Sequence, residues 1–290
     1  MTNRPGTFSL SSVTHLGRPL VSPKLQRSDG AACVALSPAG VAALYQSDPC
    51  RFFLPPAEPG DLPCGLLLTT SGGIAGGDRL RFEIEWTKGT RAAVTTGAAE
   101  KIYRAGPSEA ARIDTLLSVA EGAHAEWLPQ ETILFRQSKL ERRCRIELAA
   151  DARLLAADMI VLGRAASGER YGEALLHDRW EVKRDGRLVF FDALRLDEEN
   201  EGALADPAGF AGAGAFGLLL LAAPEAPILA ERARAILPEG ELCGLTVIND
   251  ILIARWLAAD GARLRKWVAA MAAGLRSFYG LPARAPRIWQ

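Results

Sequence analysis

Short apolar segments separated by turn residues fill the chain between Cys64 and about Leu196. Turn pairs such as Glu121-Gly122 and Asp185-Gly186 precede several of these segments. Residues 142–148 show the pattern clearly, because Arg142, Cys144, Ile146 and Leu148 alternate with the charged residues Arg143, Arg145 and Glu147, as in a half-buried strand. Regularly spaced short strands predict a mainly β fold, built as stacked sheets in a β-sandwich or as a β-helix-like solenoid.

The chain changes character after the acidic stretch at residues 197–202. Residues 227–237 and 263–278 carry apolar side chains at helical spacing, which predicts two α-helices. Residues 242–248 and 251–257 are predicted to form two further strands. We therefore expect one domain over residues 1–290, with a β-rich body at about 44–197 and a mixed α/β part with a few helices at about 203–290.

Charge and composition exclude several classes of function. The chain has 34 basic and 34 acidic residues, which removes the usual electrostatic reason to bind nucleic acid or an anionic membrane. No secretory signal is apparent at the N-terminus, and the longest apolar stretch, residues 210–223, is too short for a membrane span. The five cysteines lack a Cys-x-x-Cys pair and predict neither a disulfide framework nor a zinc site. We expect a cytoplasmic protein.

Residues 72–78, Gly-Gly-Ile-Ala-Gly-Gly-Asp, form a segment that we call the glycine corner. Gly72, Gly73, Gly76 and Gly77 specify an unusual backbone path, because glycine adopts positive φ and allows close approach. A nucleotide loop is disfavoured, since no Lys-Ser/Thr follows and the next residues alternate as a strand rather than open a helix. The segment is predicted to be a corner between strands.

A competing interpretation is a cytosolic enzyme that binds a small anionic ligand at the glycine corner. Arg79 and Arg81 could attract such a ligand, whereas Asp78 opposes it. His124 and Glu126 lie at i and i+2 of a predicted strand and could supply two metal ligands, or form a surface polar pair. Neither a nucleophile elbow nor distinctively spaced carboxylates are present in the sequence, so we expect no enzymatic activity.

Four other segments follow the glycine corner in a fixed order: T-T-G-A-A-E-K-I-Y-R at 95–104, W-L-P-Q-E-T-I-L-F at 127–135, L-G-R-A-A-S-G-E at 162–169 and P-R-I-W at 286–289. Together these five segments resemble the urease accessory protein UreD family, also called UreH. The resemblance runs from about Leu44 to Gln290. One departure is Glu100, where the family pattern usually has a small residue such as threonine or alanine, and this acid bears on the role of Lys101.

The resemblance implies a non-enzymatic maturation factor with a mainly β fold and a small helical part. Such a protein binds urease apoprotein together with UreF and the GTPase UreG, and assists nickel insertion at the carbamylated lysine of urease. GTP would belong to UreG, and this chain would hold nickel only transiently, with no tightly bound metal. A bare structural subunit, which would instead stay in mature urease, is the alternative.

The resemblance also implies a water-filled internal passage for nickel, which must not bind the ion tightly if it is to conduct. Asp78, Glu131 and Glu169 lie inside the matched segments and are hypothetical passage or interface residues. Their alternative role is to pair with Arg164 or Lys101 and fix corners. Aromatic residues and arginine supply most interface energy, so the candidates for partner binding are Tyr103, Arg104, Arg164, Arg287 and Trp289.

Overall fold

A computed structural model describes residues 26–105, 109–164 and 167–289. Strands dominate these ranges, and the two α-helices described lie in the C-terminal third, which confirms the predicted fold class. The strands are β1 (Asp29–Ser37), β2 (Gly40–Gln46), β3 (Cys50–Phe53), β4 (Cys64–Thr69), β5 (Arg79–Trp86), β6 (Arg91–Thr96), β7 (Glu100–Ile102), β8 (Ala111–Val119), β9 (His124–Trp127), β10 (Thr132–Leu134), β11 (Lys139–Leu148), β12 (Arg153–Arg164), β13 (Glu169–Arg170), β14 (Leu175–Arg184), β15 (Arg187–Leu196), β16 (Ala215–Ala222), β17 (Cys243–Ile248) and β18 (Ile251–Ala258).

The strands form two sheets. The first has seven strands in the order β15-β14-β11-β8-β5-β1-β2. The second has eleven strands, with the main order β17-β18-β16-β12-β9-β6-β4-β3 and the short strands β7, β10 and β13 attached beside it. β1 already pairs with β5, so the sheets begin before the expected start of the β-rich body at about residue 44.

The central part of the chain winds as a solenoid. From β4 to β14 it alternates between the two sheets, and the longer strands β4-β6-β9-β12 and β5-β8-β11-β14 are parallel to their neighbours. Each turn of the chain therefore adds one strand to each sheet. Of the two predicted arrangements, the β-helix-like one describes this part of the molecule.

The main core lies between the two sheets. Alternate side chains of β8 are buried, as the period-2 pattern of that strand predicts. Trp86, Leu117 and Ile146 are almost completely buried on successive strands of the seven-stranded sheet. Burial of Leu117 or of Ile146 contributes about 1.5–3 kcal/mol, so this interior stabilises the stack and fixes the register of its strands.

A second core covers the outer face of the eleven-stranded sheet. Helices α1 (Ala226–Arg234) and α2 (Gly261–Phe278) pack there, close to the predicted ranges. Asp260 caps α2 by accepting a hydrogen bond from the backbone N–H of Arg263 at 2.9 Å. Leu264, Val268, Met271 and Leu275 form the buried stripe of α2.

The longest apolar stretch holds β16, which pairs with β12 on one side and β18 on the other. It is therefore an interior strand of a sheet. In the described ranges, neither α-helix has the length and apolar character needed to cross a bilayer.

Candidate functional site

The glycine corner joins β4 to β5 through backbone conformations that favour glycine. Gly72 and Gly77 have φ values of 72° and 88°. At Gly73, with φ of 149°, an added Cβ would lie 2.5 Å from a ring carbon of Tyr103. At Gly76 it would lie 2.8 Å from a backbone carbonyl oxygen of the facing segment. The segment is a tight corner, as predicted, and its glycines provide both the φ values and the space.

Asp78 is buried and fixes the end of the corner. Its Oδ2 accepts a hydrogen bond from the backbone N–H of Ala75, and its Oδ1 accepts one from Ser28, both at 2.8 Å. A carboxylate therefore already occupies the amides that an anionic ligand would need. Arg79 and Arg81 form their own ion pairs, with Glu109 and Glu83 respectively. The geometry therefore argues against the anion-binding interpretation of this corner.

Three of the matched segments meet the glycine corner at one surface. The hydroxyl of Tyr103 donates to the carbonyl oxygen of Gly72 at 2.7 Å. The Tyr103 ring packs edge-on against Phe135 with a centroid distance of 5.2 Å. The guanidinium of Arg164 lies 4.2 Å from the centre of the Phe135 ring and pairs with Glu169. We call Tyr103, Phe135, Arg164 and Glu169 the Tyr103 surface.

Hydrogen bonds hold Glu169 within the Tyr103 surface. Its Oε2 accepts from Arg164, and its Oε1 accepts from the backbone N–H of Arg136 at 3.0 Å. The bond from Arg164 is the main cause that lowers the pKa of Glu169. Arg104, at the edge of this surface, is exposed and its backbone bridges to Ser138. Glu169 therefore does pair with Arg164, which is the alternative role expected for it.

Glu131 joins the solenoid to helix α2 and the C-terminal segment. The side chain of Glu131 is buried and forms a two-pronged ion pair with Arg265. Arg265 also donates to the side-chain oxygen of Gln130 at 2.9 Å and to the backbone oxygen of Trp289 at 3.2 Å. This network uses the carboxylate of Glu131 fully, and it links residues that are 134 positions apart.

Trp289 is buried within the chain, which argues against its predicted role in partner binding. Its side chain packs in the second core, and its indole N–H donates to Thr95 Oγ1 and to the Leu128 carbonyl oxygen, both at 3.1 Å. The amphipathic indole finds its acceptors inside the protein, so no surface position is needed. Arg287, by contrast, is exposed and pairs with Glu58 at 2.7 Å.

Two cavities lie within the stack and share part of their lining. One has a volume of about 290 Å³ and reaches from Gly72 and Glu100 to Asp158 and Trp180; we call it the corner-side cavity. The other has a volume of about 560 Å³ and extends from the same Asp158 and Trp180 toward Arg255; we call it the edge-side cavity. The two cavities together span the space between the glycine corner and the far edges of the two sheets.

A buried charged triad lies where the cavities adjoin. Arg142 donates to Asp178 through Nε and Nη2, each at 2.9 Å, and to Asp158 through Nη1 at 3.0 Å. Nη1 also donates to the hydroxyl of Thr132 at 3.2 Å. Burial raises the pKa of Asp158 even though Arg142 opposes the shift. Burial would lower the pKa of Arg142, but the two carboxylates outweigh it and hold that pKa well above its ordinary value.

Glu100 is the second acid of the corner-side cavity. Burial raises its pKa to about 7, and a hydrogen bond from the Thr69 hydroxyl at 2.9 Å only partly opposes this. The departure from the family pattern therefore places a carboxyl group that titrates near neutral pH on the cavity wall. Lys101 lines the same cavity.

His124 and Glu126 are both buried, so they are not the surface polar pair that the sequence allowed, and each has another contact. Burial lowers the pKa of His124 to about 4, and its ring packs edge-on against Tyr279. Glu126 is fully buried and accepts from Arg276 at 3.0 Å. Nowhere in ranges 26–105, 109–164 and 167–289 do three or more histidine, cysteine or acidic side chains gather as potential metal ligands.

The predicted passage acids do not line either cavity. Asp78, Glu131 and Glu169 are absent from the walls of the corner-side and edge-side cavities, and each is bound by the groups described above. Their placement argues against a passage role, while an interface role stays a prediction. The acids that do line the cavities are Glu100, Asp158, Asp178 and Asp192.

Comparison with known proteins gives a consistent match. The profile of the UreD urease accessory protein family matches residues 32–290. The chain is 42% identical over 253 residues to the urease accessory protein UreD of Magnetococcus marinus, which covers 85% of this chain and 87% of that protein. It is 44% identical over 248 residues to UreD 3 of Bradyrhizobium sp. strain BTAi1, covering 85% and 86%. It is 42% identical over 268 residues to UreD of Paracoccus denitrificans, covering 92% and 94%. This chain therefore belongs to the UreD urease accessory protein family.

Proposed function

We propose that this protein is a non-enzymatic maturation factor that binds urease apoprotein together with UreF and UreG and assists GTP-dependent nickel insertion into urease. Membership of the UreD family, which supports a role in urease maturation, is the observation that carries this proposal. GTP is bound by UreG in this scheme, and nickel is a cargo rather than a resident cofactor. The protein acts in the cytoplasm, where it meets these partners.

Nickel passes through the interior of this chain in the proposed scheme. Support comes from the two cavities that share Asp158 and Trp180 between the sheets. The indole N–H of Trp180 is buried beside both cavities and has no hydrogen-bond acceptor among the described residues. Carboxylates bind nickel less strongly than grouped imidazoles or thiolates do, which suits transit.

A plug in the corner-side cavity tests the passage. Thr115 lines that cavity from β8, and Ser118 lies on the other face of the same strand. We expect Thr115→Phe to fold and to bind UreF, UreG and urease, yet to deliver little nickel in an activation assay with purified components. Ser118→Phe is the matched control and should deliver nickel normally. Full nickel occupancy of urease with the folded Thr115→Phe protein would refute the passage.

The wider proposal has its own test. Urease made in cells that lack this protein should contain little nickel, and supplying the protein should restore it. If urease reaches full nickel occupancy without this chain, the role as a maturation factor is refuted, whatever the plug variant does.

The Tyr103 surface is the proposed contact with a partner protein. Tyrosine and arginine carry much of the energy of protein interfaces, and here they flank a half-buried phenylalanine on an accessible face. Tyr103→Ala and Arg164→Ala should each weaken the capture of UreF, UreG or urease in pull-down experiments. Arg263→Ala, on the exposed side of α2, is the control. Equal capture by all three variants would exclude this surface.

A further inference from the structure

Arg142 links the two sheets through the space between the cavities. It lies on β11 beside Asp178 of β14 in the seven-stranded sheet, while Asp158 comes from β12 of the eleven-stranded sheet. All three side chains are nearly buried, at 11%, 8% and 7% exposure for Arg142, Asp178 and Asp158. The guanidinium therefore fills a position on which two carboxylates and the hydroxyl of Thr132 converge.

That convergent set of oxygen atoms would otherwise suit a divalent cation. Carboxylate and hydroxyl oxygens are ligands for such ions, and two carboxylates supply the matching charge. A guanidinium cannot be deprotonated in a protein and presents five donors in a fixed fork, so it satisfies both carboxylates permanently. An ion passing this point meets a triad with a formal charge of −1 whose oxygen atoms are already engaged.

We propose that Arg142 is a built-in counter-cation that prevents Asp158 and Asp178 from capturing the divalent cargo. This inference rests on the proposed nickel passage. The acids keep the cavity wall attractive to a cation, and the guanidinium prevents them from becoming a binding site. Trp180 lies at the same place, on the walls of both cavities, with a buried indole N–H that has no acceptor among the described residues.

A purely structural role for the triad makes a different prediction. If Arg142 served only to hold the sheets together, removing its charge would weaken the fold without creating affinity for metal. If it acts as a counter-cation, the same change exposes a metal trap. Metal binding by the full-length protein therefore separates the two roles, and it does so without urease or the other partners.

The test compares wild type with Arg142→Met, Arg142→Lys and the triple variant Arg142→Met/Asp158→Asn/Asp178→Asn. Binding of Ni²⁺ is measured by equilibrium dialysis, and thermal unfolding is followed with and without Ni²⁺. We expect Arg142→Met to bind about one more Ni²⁺ per chain than wild type and to unfold at a higher temperature when Ni²⁺ is present. Wild type and the triple variant share every other ligand and should show neither effect.

The remaining outcomes are also decisive. Arg142→Lys keeps a positive charge and should not gain the extra ion; an equal gain in both single variants would overturn the counter-cation role. Because Arg142→Met leaves two buried carboxylates unpaired, it is prepared with and without Ni²⁺. Folding only with Ni²⁺ supports the proposal, whereas failure to fold in both conditions, or folding without extra binding, overturns it. If Arg142→Met binds the extra Ni²⁺ but the Thr115→Phe plug still delivers nickel normally, the counter-cation site stands and the nickel passage is refuted.

Discussion

Replacing Trp289 with alanine should destabilise the protein rather than remove a surface anchor. The side chain is 5% exposed and lies in the second core. Truncating a buried tryptophan to alanine typically costs about 3–5 kcal/mol through lost burial and the cavity left behind. Loss of the indole N–H adds to this, because Thr95 and Leu128 then lose a donor. The substitution keeps the backbone oxygen that accepts from Arg265.

A graded series separates packing from hydrogen bonding at this position. Trp289→Phe keeps an aromatic ring but has no N–H. The Leu128 carbonyl oxygen still accepts from Thr95 at 2.6 Å, so no acceptor is left unpaired there. We therefore expect a loss of about 1–2 kcal/mol for phenylalanine, close to the value of a hydrogen bond plus a small volume change. Arg287 is exposed and lies two residues before Trp289. Arg287→Ala should therefore change the free energy of unfolding by less than about 0.5 kcal/mol.

Equilibrium denaturation in guanidinium chloride measures these differences. The midpoint should fall in the order Arg287→Ala, Trp289→Phe, Trp289→Ala, with an unchanged dependence on denaturant concentration. The reasoning fails if Trp289→Ala has the stability of wild type but no longer binds a partner. In that case the tryptophan would leave the core in the complex and contact the partner, as the sequence predicts.

Three further predictions concern the corner, the cavity and the buried arginine of α2. Gly73→Ala should lower the free energy of unfolding by about 1–3 kcal/mol in urea denaturation, because Gly73 has a positive φ and an added Cβ would contact Tyr103. Gly72→Ala is the control and should lose less, because Gly72 has a positive φ but open space around it. Equal losses in the two variants would contradict the steric argument. Glu100 has a pKa raised to about 7, so the folded state holds its proton more tightly than the unfolded state and stability falls as pH rises from about 4.5 to about 7. Glu100→Gln should remove that loss, so its free energy of unfolding should exceed that of wild type by an amount that grows from about pH 4.5 to about pH 7, to at most about 3 kcal/mol. A difference that does not depend on pH would refute the raised pKa of Glu100. Arg276→Met should cost about 3–5 kcal/mol because it leaves the fully buried Glu126 unpaired, and adding Glu126→Gln should restore part of the loss, which a double-mutant cycle by thermal unfolding would reveal.

The fold class could be predicted from the sequence because it depends on local patterns of apolar and turn residues. Alternation along the strands and recurring turn residues predicted stacked sheets, and helical spacing predicted α1 and α2. The glycine corner was also predictable, since its glycines restrict the backbone locally. The hydrogen bonds of Asp78 and Glu131 to remote residues could not be predicted, because these partners lie far away in the sequence. Asp78 binds an amide 50 residues away, and Glu131 binds an arginine 134 residues later.

The burial of Trp289 was not predicted for a similar reason. An aromatic residue near a chain end, next to an arginine, has the composition of an interface anchor. Its actual partners lie 194 and 161 residues earlier, in the solenoid. Phe135 was missed as a member of the Tyr103 surface for the opposite reason: it looked like the end of an apolar segment, although it is the residue on which Tyr103 and Arg164 meet.

The charged triad, by contrast, left a trace in the sequence. Arg142 alternates in phase with the buried side chains of β11, and Asp178 does so with those of β14. A charge on the apolar face of a strand must be paired inside, because an isolated buried charge is too costly to tolerate. Two such residues on neighbouring strands, with opposite charges, predict an internal pair. A buried ion pair is weak grounds for stability, since apolar residues of similar volume often serve as well. Because the triad lies between two cavities, a functional role explains its presence better than a contribution to stability does.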